Sequence, residues 1–227
     1  MKYKSVLVIP DLQIPFQHPY ALTFLKNVKE EYAPDLVVCV GDEWDNCALS
    51  RYPKDPDGMS AGDEYKRAKR ASKAYYDEFP EVFLCESNHR ERLYKRAYEA
   101  GIPKELIKGT HKYMGAPAGW QWADQWVFDG VVYEHGDRAS GANTGERLID
   151  ANHASVVYGH HHDSPGVTYR RKANKTMFAM NVGCLIDENS YAMSYTKHNR
   201  NKPVLSCGVV LNGIPYVIPM IKGLRVR

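Results

Sequence analysis

Acidic, amide and imidazole side chains follow five apolar runs of the sequence, directly after each run ends. The groups are Asp11-Leu12-Gln13, Gly41-Asp42-Glu43-Trp44-Asp45, Ser87-Asn88-His89-Arg90, His135-Gly136-Asp137 and Gly159-His160-His161-His162. Oxygen and imidazole ligands without cysteine favour a hard or borderline divalent ion such as Mn²⁺, Fe²⁺ or Zn²⁺. One metal ion needs about three or four protein ligands, and these groups offer about seven. They could therefore hold two ions that share a carboxylate, an arrangement suited to displacement at phosphate.

The first half of the chain, which must bring these groups together, has the pattern of a sheet with parallel strands. Short runs rich in β-branched residues are predicted strands, over Val6–Pro10, Leu36–Val40 and Val82–Glu86. Amphipathic or charged segments are predicted helices, over Tyr20–Tyr32, Glu64–Phe79 and Arg90–Ala100. Parallel strands end at one edge of a sheet, where open α/β proteins bind ligands. We therefore expect the five groups to converge on one edge.

The second half is predicted to add short strands, one helix and an antiparallel end. Its predicted elements are the strands Trp126–Phe128, Val131–Glu134, Ser155–Tyr158, Met177–Asn181, Val204–Val210 and Ile214–Ile218, and the helix Thr144–Asn152. Asp129-Gly130 and Asn212-Gly213 mark turns, and Arg51–Asp63 is predicted to be an exposed loop because it carries proline and glycine. No linker or repeat interrupts the pattern. We therefore predict an α/β protein with one domain over residues 1–227.

Composition excludes several classes of protein. The chain has 227 residues, with 44% hydrophobic and 25% charged residues, which is typical of a globular protein. Its net charge of +3 does not by itself indicate a nucleic-acid partner. The five cysteines are predicted to be reduced and mostly buried, as in a cytoplasmic protein. No apolar stretch approaches the roughly 18 residues that a membrane span needs, and the first residues do not resemble a signal peptide.

The five groups resemble, in order, the five sequence blocks of the calcineurin-like metallophosphoesterase superfamily. Those blocks are Asp-x-His, Gly-Asp-x-x-Asp, Gly-Asn-His-Glu/Asp, His-Gly and Gly-His-x-His, and here they extend from Asp11 to His162, about two-thirds of the chain. One block alone is a weak signal, whereas five in order, each behind an apolar run, are specific. The resemblance implies a two-layered β-sandwich flanked by helices. It also implies hydrolysis of phosphate esters by a hydroxide that two divalent metal ions activate.

The resemblance assigns a first metal ion to the first, second and fifth blocks. Asp11 and His162 would hold this ion, and Asp42 would bridge it to the second ion. Gln13 stands where the family usually has a histidine, and an amide oxygen is a weaker, neutral ligand. Whether Gln13 is a ligand or a structural amide stays open. Mn²⁺ is the expected metal, with Fe, Zn, Ni and Mg as alternatives.

The resemblance assigns the second ion to Asn88, His135 and His160. His89 matches a family histidine that lies near the phosphate and the leaving group, where it donates a proton or stabilises charge. Asp45 matches the second acid of its block and could orient His89 through a hydrogen bond. These two residues are therefore the predicted catalytic pair.

Two further positions are candidate substrate contacts. Arg90 replaces the acid of the third block, and it could contact phosphate or pair with Glu86 or Glu91. His161 is a weaker candidate, because an extended loop would point it away from its neighbours. Ser87 replaces a glycine, a small change if the backbone there needs no positive φ. The remaining histidines are predicted to be ordinary surface or capping residues: His18, His111, His153 and His198.

The substrate is less well defined than the reaction. Basic runs over residues 66–73 and 170–175 favour a phosphodiester, in a nucleotide or a nucleic acid, although a solvated helix face also explains the first run. Alternatives are a phosphomonoesterase or protein phosphatase, but phosphatases of the family continue their second block with Asp-Arg-Gly, whereas Asp45 precedes Asn46-Cys47. A metallophosphoesterase-like binding scaffold with weakened catalysis is the alternative of another class. The oligomeric state stays open.

Overall fold

Two β-sheets pack face to face, and helices cover their outer faces. The structure is a computed structural model that describes residues 2–52, 55–190 and 202–221. His198 and two residues of the predicted 51–63 loop lie outside this range. The α/β sandwich predicted from the sequence is confirmed, and the prediction that residues 1–227 are one domain stays a prediction.

The first sheet has six strands in the order β11-β10-β1-β2-β3-β4. Its strands are β1 (Ser5–Ile9), β2 (Leu36–Cys39), β3 (Val82–Cys85), β4 (Trp120–Ala123), β10 (Ser206–Leu211) and β11 (Ile214–Pro219). Strands β1 to β4 run parallel, and β10 and β11 add an antiparallel edge. The outer face is covered by α1 (Ala21–Tyr32), α2 (Ala61–Glu78) and the short α4 (Thr110–Met114).

The second sheet has five strands in the order β5-β6-β7-β9-β8. Its strands are β5 (Gln125–Phe128), β6 (Val131–Glu134), β7 (Ser155–Tyr158), β8 (Gly166–Lys172) and β9 (Lys175–Asn181). The central strands β6, β7 and β9 run parallel, and both edges are antiparallel. Helix α5 (Thr144–Asn152) covers the outer face, and α3 (Asn88–Glu99) follows β3 of the first sheet.

The main core lies between the two sheets. Val8 and Val38 of the first sheet pack in one cluster with Val157 and Met180 of the second, and all four side chains are buried. A separate cluster joins the first sheet to α1 and α2, and another joins the second sheet to α5. Strand β1 is buried at every residue, because apolar side chains on both of its faces are covered. The strand ends that carry the five groups are thereby held against a rigid frame.

Among the strands and α-helices of the described residues, three were not predicted from the sequence: β4, β8 and α4. Strand β8 is an edge strand in which no residue is fully buried, so it lacks the apolar alternation that indicates a strand. Its Arg170 donates to Asp150 of α5, and part of the predicted basic surface is therefore neutralised. Helix α2 begins three residues earlier than predicted, because Ser60 accepts a hydrogen bond from the Asp63 amide and caps the helix.

Four of the five cysteines are buried thiols: Cys39, Cys85, Cys184 and Cys207. Burial raises the pKa of Cys184 to about 12, so this thiol stays protonated. Within the described ranges, no helix has the length and apolar character that crossing a membrane requires.

Candidate metal centre

Six of the seven predicted metal ligands lie just beyond strand ends, three from each sheet. The first sheet supplies Asp11, Asp42 and Asn88, and the second supplies His135, His160 and His162. The expectation that the five groups converge on one edge of a single sheet is wrong. The ligand groups meet where the edges of two sheets adjoin. The seventh, Gln13, lies in the loop after β1, and its backbone N–H donates to the Asp42 carbonyl (2.8 Å).

The backbone turns sharply at the ligand positions. Gln13 (φ 48°), Asp42 (φ 48°) and His160 (φ 65°) adopt the left-handed conformation although none is glycine. Such residues are strained by roughly 1–3 kcal/mol each and cluster at functional sites. Gly41 precedes Asp42 with φ 106°, and a Cβ there would lie 2.8 Å from the Cβ of Ser87. This position therefore needs glycine, and the tight turn aims the Asp42 carboxylate at the second sheet.

One group of ligand atoms converges on a single point. Atoms of Asp42, His135 and His160 all lie within 4.8 Å of one another. His135 Nε2 is 2.7 Å from Asn88 Oδ1, 3.4 Å from Asp42 Oδ2 and 3.2 Å from His160 Nδ1. These four side chains are the ones that the resemblance assigns to the second metal ion. Their donor set, one carboxylate, one amide oxygen and two imidazoles, suits a borderline divalent ion.

The orientation of His135 is fixed from behind the site. Its Nδ1 donates to the Val40 carbonyl (2.9 Å), so Nε2 faces Asp42 and Asn88. A backbone carbonyl on the far nitrogen is the usual support of a metal-binding histidine. Burial lowers the pKa of His135, but the Asp42 carboxylate outweighs burial and raises it to about 10. Either a proton on Nε2 or a divalent cation among these atoms satisfies the acceptors, so the residues fit a metal ion.

The predicted first-ion ligands form a second group. Asp11 is fully buried, and its Oδ2 accepts hydrogen bonds from His162 Nε2 (2.8 Å) and from the His160 amide (3.0 Å). Its other oxygen, Oδ1, is buried and has no hydrogen-bond partner among the described residues. A buried carboxylate oxygen without a partner is costly, and a cation would satisfy it. Asp11 and His162 therefore suit a metal ion as well.

Gln13 offers the site an amide. Gln13 is 2% exposed, and within the ranges that the structure describes its buried Nε2 atom has no hydrogen-bond partner. The oxygen and nitrogen of such an amide exchange places when the terminal bond rotates by half a turn. Rotation would put an oxygen lone pair at the unpartnered position, which is the property that a metal ligand needs.

His89 lies near two carboxylates, those of the predicted metal ligand Asp42 and of its predicted catalytic partner Asp45. It also contacts Arg92, a residue that the sequence analysis missed. Its Nε2 is 3.7 Å from Asp42 Oδ2, and its Nδ1 is 3.6 Å from Asp45 Oδ1, too far for a hydrogen bond. Arg92 joins the pair instead. It donates to Asp45 Oδ1 (3.0 Å), to the Asp45 carbonyl (2.9 Å) and to His89 Nε2 (2.7 Å).

Burial dominates the electrostatics of the catalytic pair. It lowers the pKa of His89 to about 3, although Asp42 opposes this shift. It raises the pKa of Asp45 to about 8, although the Arg92 guanidinium opposes that rise. Asp42 differs, because the charges of His135 and His89 outweigh its burial and hold its pKa well below the usual value. The anionic charge is thus concentrated on the carboxylate that lies between the two ligand groups.

The two candidate substrate contacts, Arg90 and His161, form hydrogen bonds or ion pairs with other parts of the protein. Arg90 forms an ion pair with Glu86, donates through Nε to Thr110 (2.9 Å) and lies over the Trp122 ring. It is 9% exposed, so the structure favours the surface-pairing alternative over phosphate contact. His161 Nε2 donates to the Ala139 carbonyl (3.1 Å), outside the ligand groups. Neither side chain makes a hydrogen bond to the predicted metal ligands.

Ser87 replaces a family glycine without disturbing the turn. Its φ is −145°, within the extended region open to any residue. Its hydroxyl accepts a hydrogen bond from the Asp42 amide (3.1 Å). The replacement therefore supports the strained Asp42 turn.

A cavity of about 290 Å³ lies beside the catalytic pair. Its walls include Trp44, Asn46 and Leu93, which neighbour Asp45 and Arg92 in sequence. The Asn46 amide donates to the His89 carbonyl (3.1 Å). Other lining residues are mostly apolar or aromatic, including Ile14, Tyr65 and Tyr113.

Gly159 provides a test of how tightly Asp11 is held. A Cβ at Gly159 would lie 2.2 Å from Asp11 Oδ1, so Gly159→Ala must displace that carboxylate. We expect a loss of roughly 1–3 kcal/mol in unfolding free energy and weaker Mn²⁺ binding, measured by thermal denaturation and calorimetry. Gly166→Ala is the matched control, since a Cβ there has no atom within 4 Å. Equal metal affinity in both variants would contradict the placement of Asp11.

Comparison with known proteins gives likeness in structure. No family model and no curated protein sequence matches the chain. The structure of vacuolar protein sorting 29 from Cryptosporidium parvum is 15% identical, covers 98% of this chain and 94% of its own, and has a TM-score of 0.49. YfcE, a phosphoesterase from E. coli, is 16% identical over 98% of this chain and 97% of its own, with a TM-score of 0.42.

A third solved structure, 12% identical, covers 96% of this chain and 100% of its own with a TM-score of 0.50. Identities this low speak to the fold alone. The strand order, the helical layers and the five groups at the seam of the sheets agree with the architecture that the sequence blocks imply. The chain therefore has the two-sheet α/β fold, flanked by helices, that the sequence resemblance implies.

Proposed function

We propose that the protein is a metal-dependent phosphoesterase that binds two divalent ions at the seam between its sheets. The observation that carries this proposal is the convergence of Asp42, His135 and His160, whose ligand atoms lie within 4.8 Å of one another. Asn88 completes that group, and Asp11, Gln13 and His162 are the proposed ligands of the other ion. Mn²⁺ is the proposed metal, since carboxylate, amide and imidazole ligands suit it.

Bound divalent ions would polarise the phosphate and lower the pKa of a water molecule. The chain's own contribution is to hold the ligands rigidly and to place His89 beside them, with Nε2 3.7 Å from Asp42 Oδ2. His89 is proposed to donate a proton to the leaving oxygen or to stabilise its charge. Asp45 and Arg92 keep the ring in place, and burial of all these groups strengthens their electrostatic interactions.

The proposed substrate is a phosphodiester in a nucleotide or nucleic acid. The cavity next to the Asp45 loop supports an ester with an apolar or planar group, because its wall includes the aromatic side chains of Trp44, Tyr65 and Tyr113. A phosphomonoester has one ester group, whereas a diester has a second group for which the cavity provides space. Phosphomonoesters and phosphoproteins are therefore the less favoured substrates.

The proposal is tested with purified protein, Mn²⁺ and two chromogenic esters. We expect Mn²⁺ to stimulate hydrolysis of bis(p-nitrophenyl) phosphate, with a kcat/KM higher than that for p-nitrophenyl phosphate. Single-stranded DNA and dinucleotides extend the series towards natural diesters. A clear preference for the monoester would overturn the proposed substrate class while leaving the phosphoesterase in place.

The binding-scaffold alternative predicts a different result. Gln13 in place of a histidine is the change that favours it, because it weakens the ligand set of one ion. Calorimetry with Mn²⁺, Zn²⁺ and Fe²⁺, paired with metal analysis, measures how many ions bind. Metal binding without turnover of any ester, for every metal, would favour the scaffold over the enzyme.

A further inference from the structure

We propose that Arg92 binds the phosphate group of the substrate, an inference that rests on the proposed phosphoesterase function. No block of the sequence pattern points to this residue, because it follows the third block by two positions. It lies at the start of the second turn of α3, three residues after His89. Its proposed ligand is a non-bridging oxygen of a phosphate ester.

The Arg92 guanidinium lies next to His89. Arg92 Nη2 is 2.7 Å from His89 Nε2, and that nitrogen is 3.7 Å from the Asp42 carboxylate. The guanidinium and the proposed bridging ligand therefore face the same nitrogen of the His89 ring. A phosphate bound at the metal centre next to His89 would meet this guanidinium.

Arg92 uses three of its hydrogen-bond donors on Asp45 and His89. A guanidinium has five N–H donors. Both Nη1 donors go to Asp45, one to its carbonyl and one to Oδ1, and one Nη2 donor goes to His89. Within the part of the chain that the structure describes, the Nε donor and the second Nη2 donor have no hydrogen-bond partner. The Asp45 contacts fix the group, and the spare donors are available to a ligand.

The Arg92 side chain is positively charged and partly accessible. The Arg92 side chain is 18% exposed, so it is held in place yet open on one side. Arginine stays protonated and matches phosphate oxygens with parallel donors. Arg90, the other arginine at this helix start, is committed to Glu86 and Thr110. Arg92 is thus the better-placed cation at the metal centre.

Arg96 provides a matched control one turn later on α3. It donates to the Leu49 carbonyl (2.9 Å) and pairs with Glu99 (3.0 Å), and it has no contact with His89 or Asp45. It therefore supports the same loop as Arg92 without reaching the metal centre. A general effect of losing an arginine from this helix would be the same in both variants.

The test measures binding of inorganic phosphate to the Mn²⁺-loaded protein by calorimetry, beside kcat and KM for bis(p-nitrophenyl) phosphate. Loss of a charge-assisted hydrogen bond predicts that Arg92→Gln weakens phosphate binding by about 10- to 100-fold. Arg92→Lys keeps the positive charge but lacks the parallel N–H donors of the guanidinium, so we expect a smaller loss of phosphate affinity. It also keeps the test informative if the glutamine variant does not fold. Arg96→Gln is expected to bind phosphate as the unmodified protein does.

Three results would overturn the inference. The first is unchanged phosphate affinity in folded Arg92→Gln or Arg92→Lys with a reduced kcat, since Arg92 would then only position His89 and Asp45. The second is an equal loss of phosphate affinity in Arg96→Gln. The third is that the unmodified, Mn²⁺-loaded protein hydrolyses esters but shows no phosphate binding by calorimetry. Absence of both turnover and phosphate binding in the unmodified protein would instead overturn the proposed function itself.

Discussion

Replacing Asp42 with asparagine is expected to lower hydrolysis of bis(p-nitrophenyl) phosphate by about 1000-fold, because several kcal/mol of charge stabilisation depend on the metal ions. Asp42 is the carboxylate between the two ligand groups, 3.4 Å from His135 Nε2 and 3.7 Å from His89 Nε2. Asparagine keeps the shape and removes the charge. Steady-state kinetics and metal analysis of the same preparations measure both effects.

The control for Asp42→Asn is Asp137→Asn, in the loop after β6. Asp137 is exposed and is not among the predicted ligands. We expect the control to keep its metal content and activity, and circular dichroism checks that both variants are folded. Full Mn²⁺ content and activity in Asp42→Asn would contradict its role as the bridging ligand.

Replacing His89 with glutamine is expected to reduce kcat by about 100- to 10,000-fold, the range for loss of a general acid or base. The side chain is not a proposed ligand, so metal content should stay unchanged. The loss should be larger for alkyl esters than for p-nitrophenyl esters, because a poor leaving group needs the proton more. Kinetics over a leaving-group series, with metal analysis, measures this dependence.

His111→Gln, an exposed position on α4, is the control for a histidine outside the site. Its kcat should match that of the unmodified protein. If His89→Gln lost metal in proportion to activity, His89 would be acting on the ligand groups rather than on the substrate. An identical loss for all leaving groups would argue against proton donation.

The strand ends that hold the candidate site could be predicted because two signals coincide there. Buried parallel strands are short runs of β-branched residues, and the polar residue that ends each run stands out. Ser155–Tyr158 and Thr144–Asn152 match the structure residue for residue. The spacing of polar groups along the sequence then indicates which strand ends meet. It does not indicate that the strands belong to two sheets, which in the sequence analysis came from the family resemblance.

Arg92 and β8 could not be predicted, for different physical reasons. Arg92 is one of several charged residues on α3, and only the helical turn places it over His89. Strand β8 is an edge strand with five of its seven residues exposed and none fully buried, so its pattern resembles a charged loop. Asp45 was expected to bond His89, but a 3.6 Å separation leaves room for the guanidinium bridge.

The ligand groups come from both sheets, which gives a bound cation a mechanical role. An ion held by Asp42 of one sheet and by His135 and His160 of the other would act as a cross-link between layers that otherwise adhere through apolar contacts. The chain cannot separate its layers without releasing the ion. Each tenfold rise in free metal above the dissociation constant would then add about 1.4 kcal/mol to the folded state. The supply of metal would set how long the chain resists proteolysis, as well as how fast it turns over substrate.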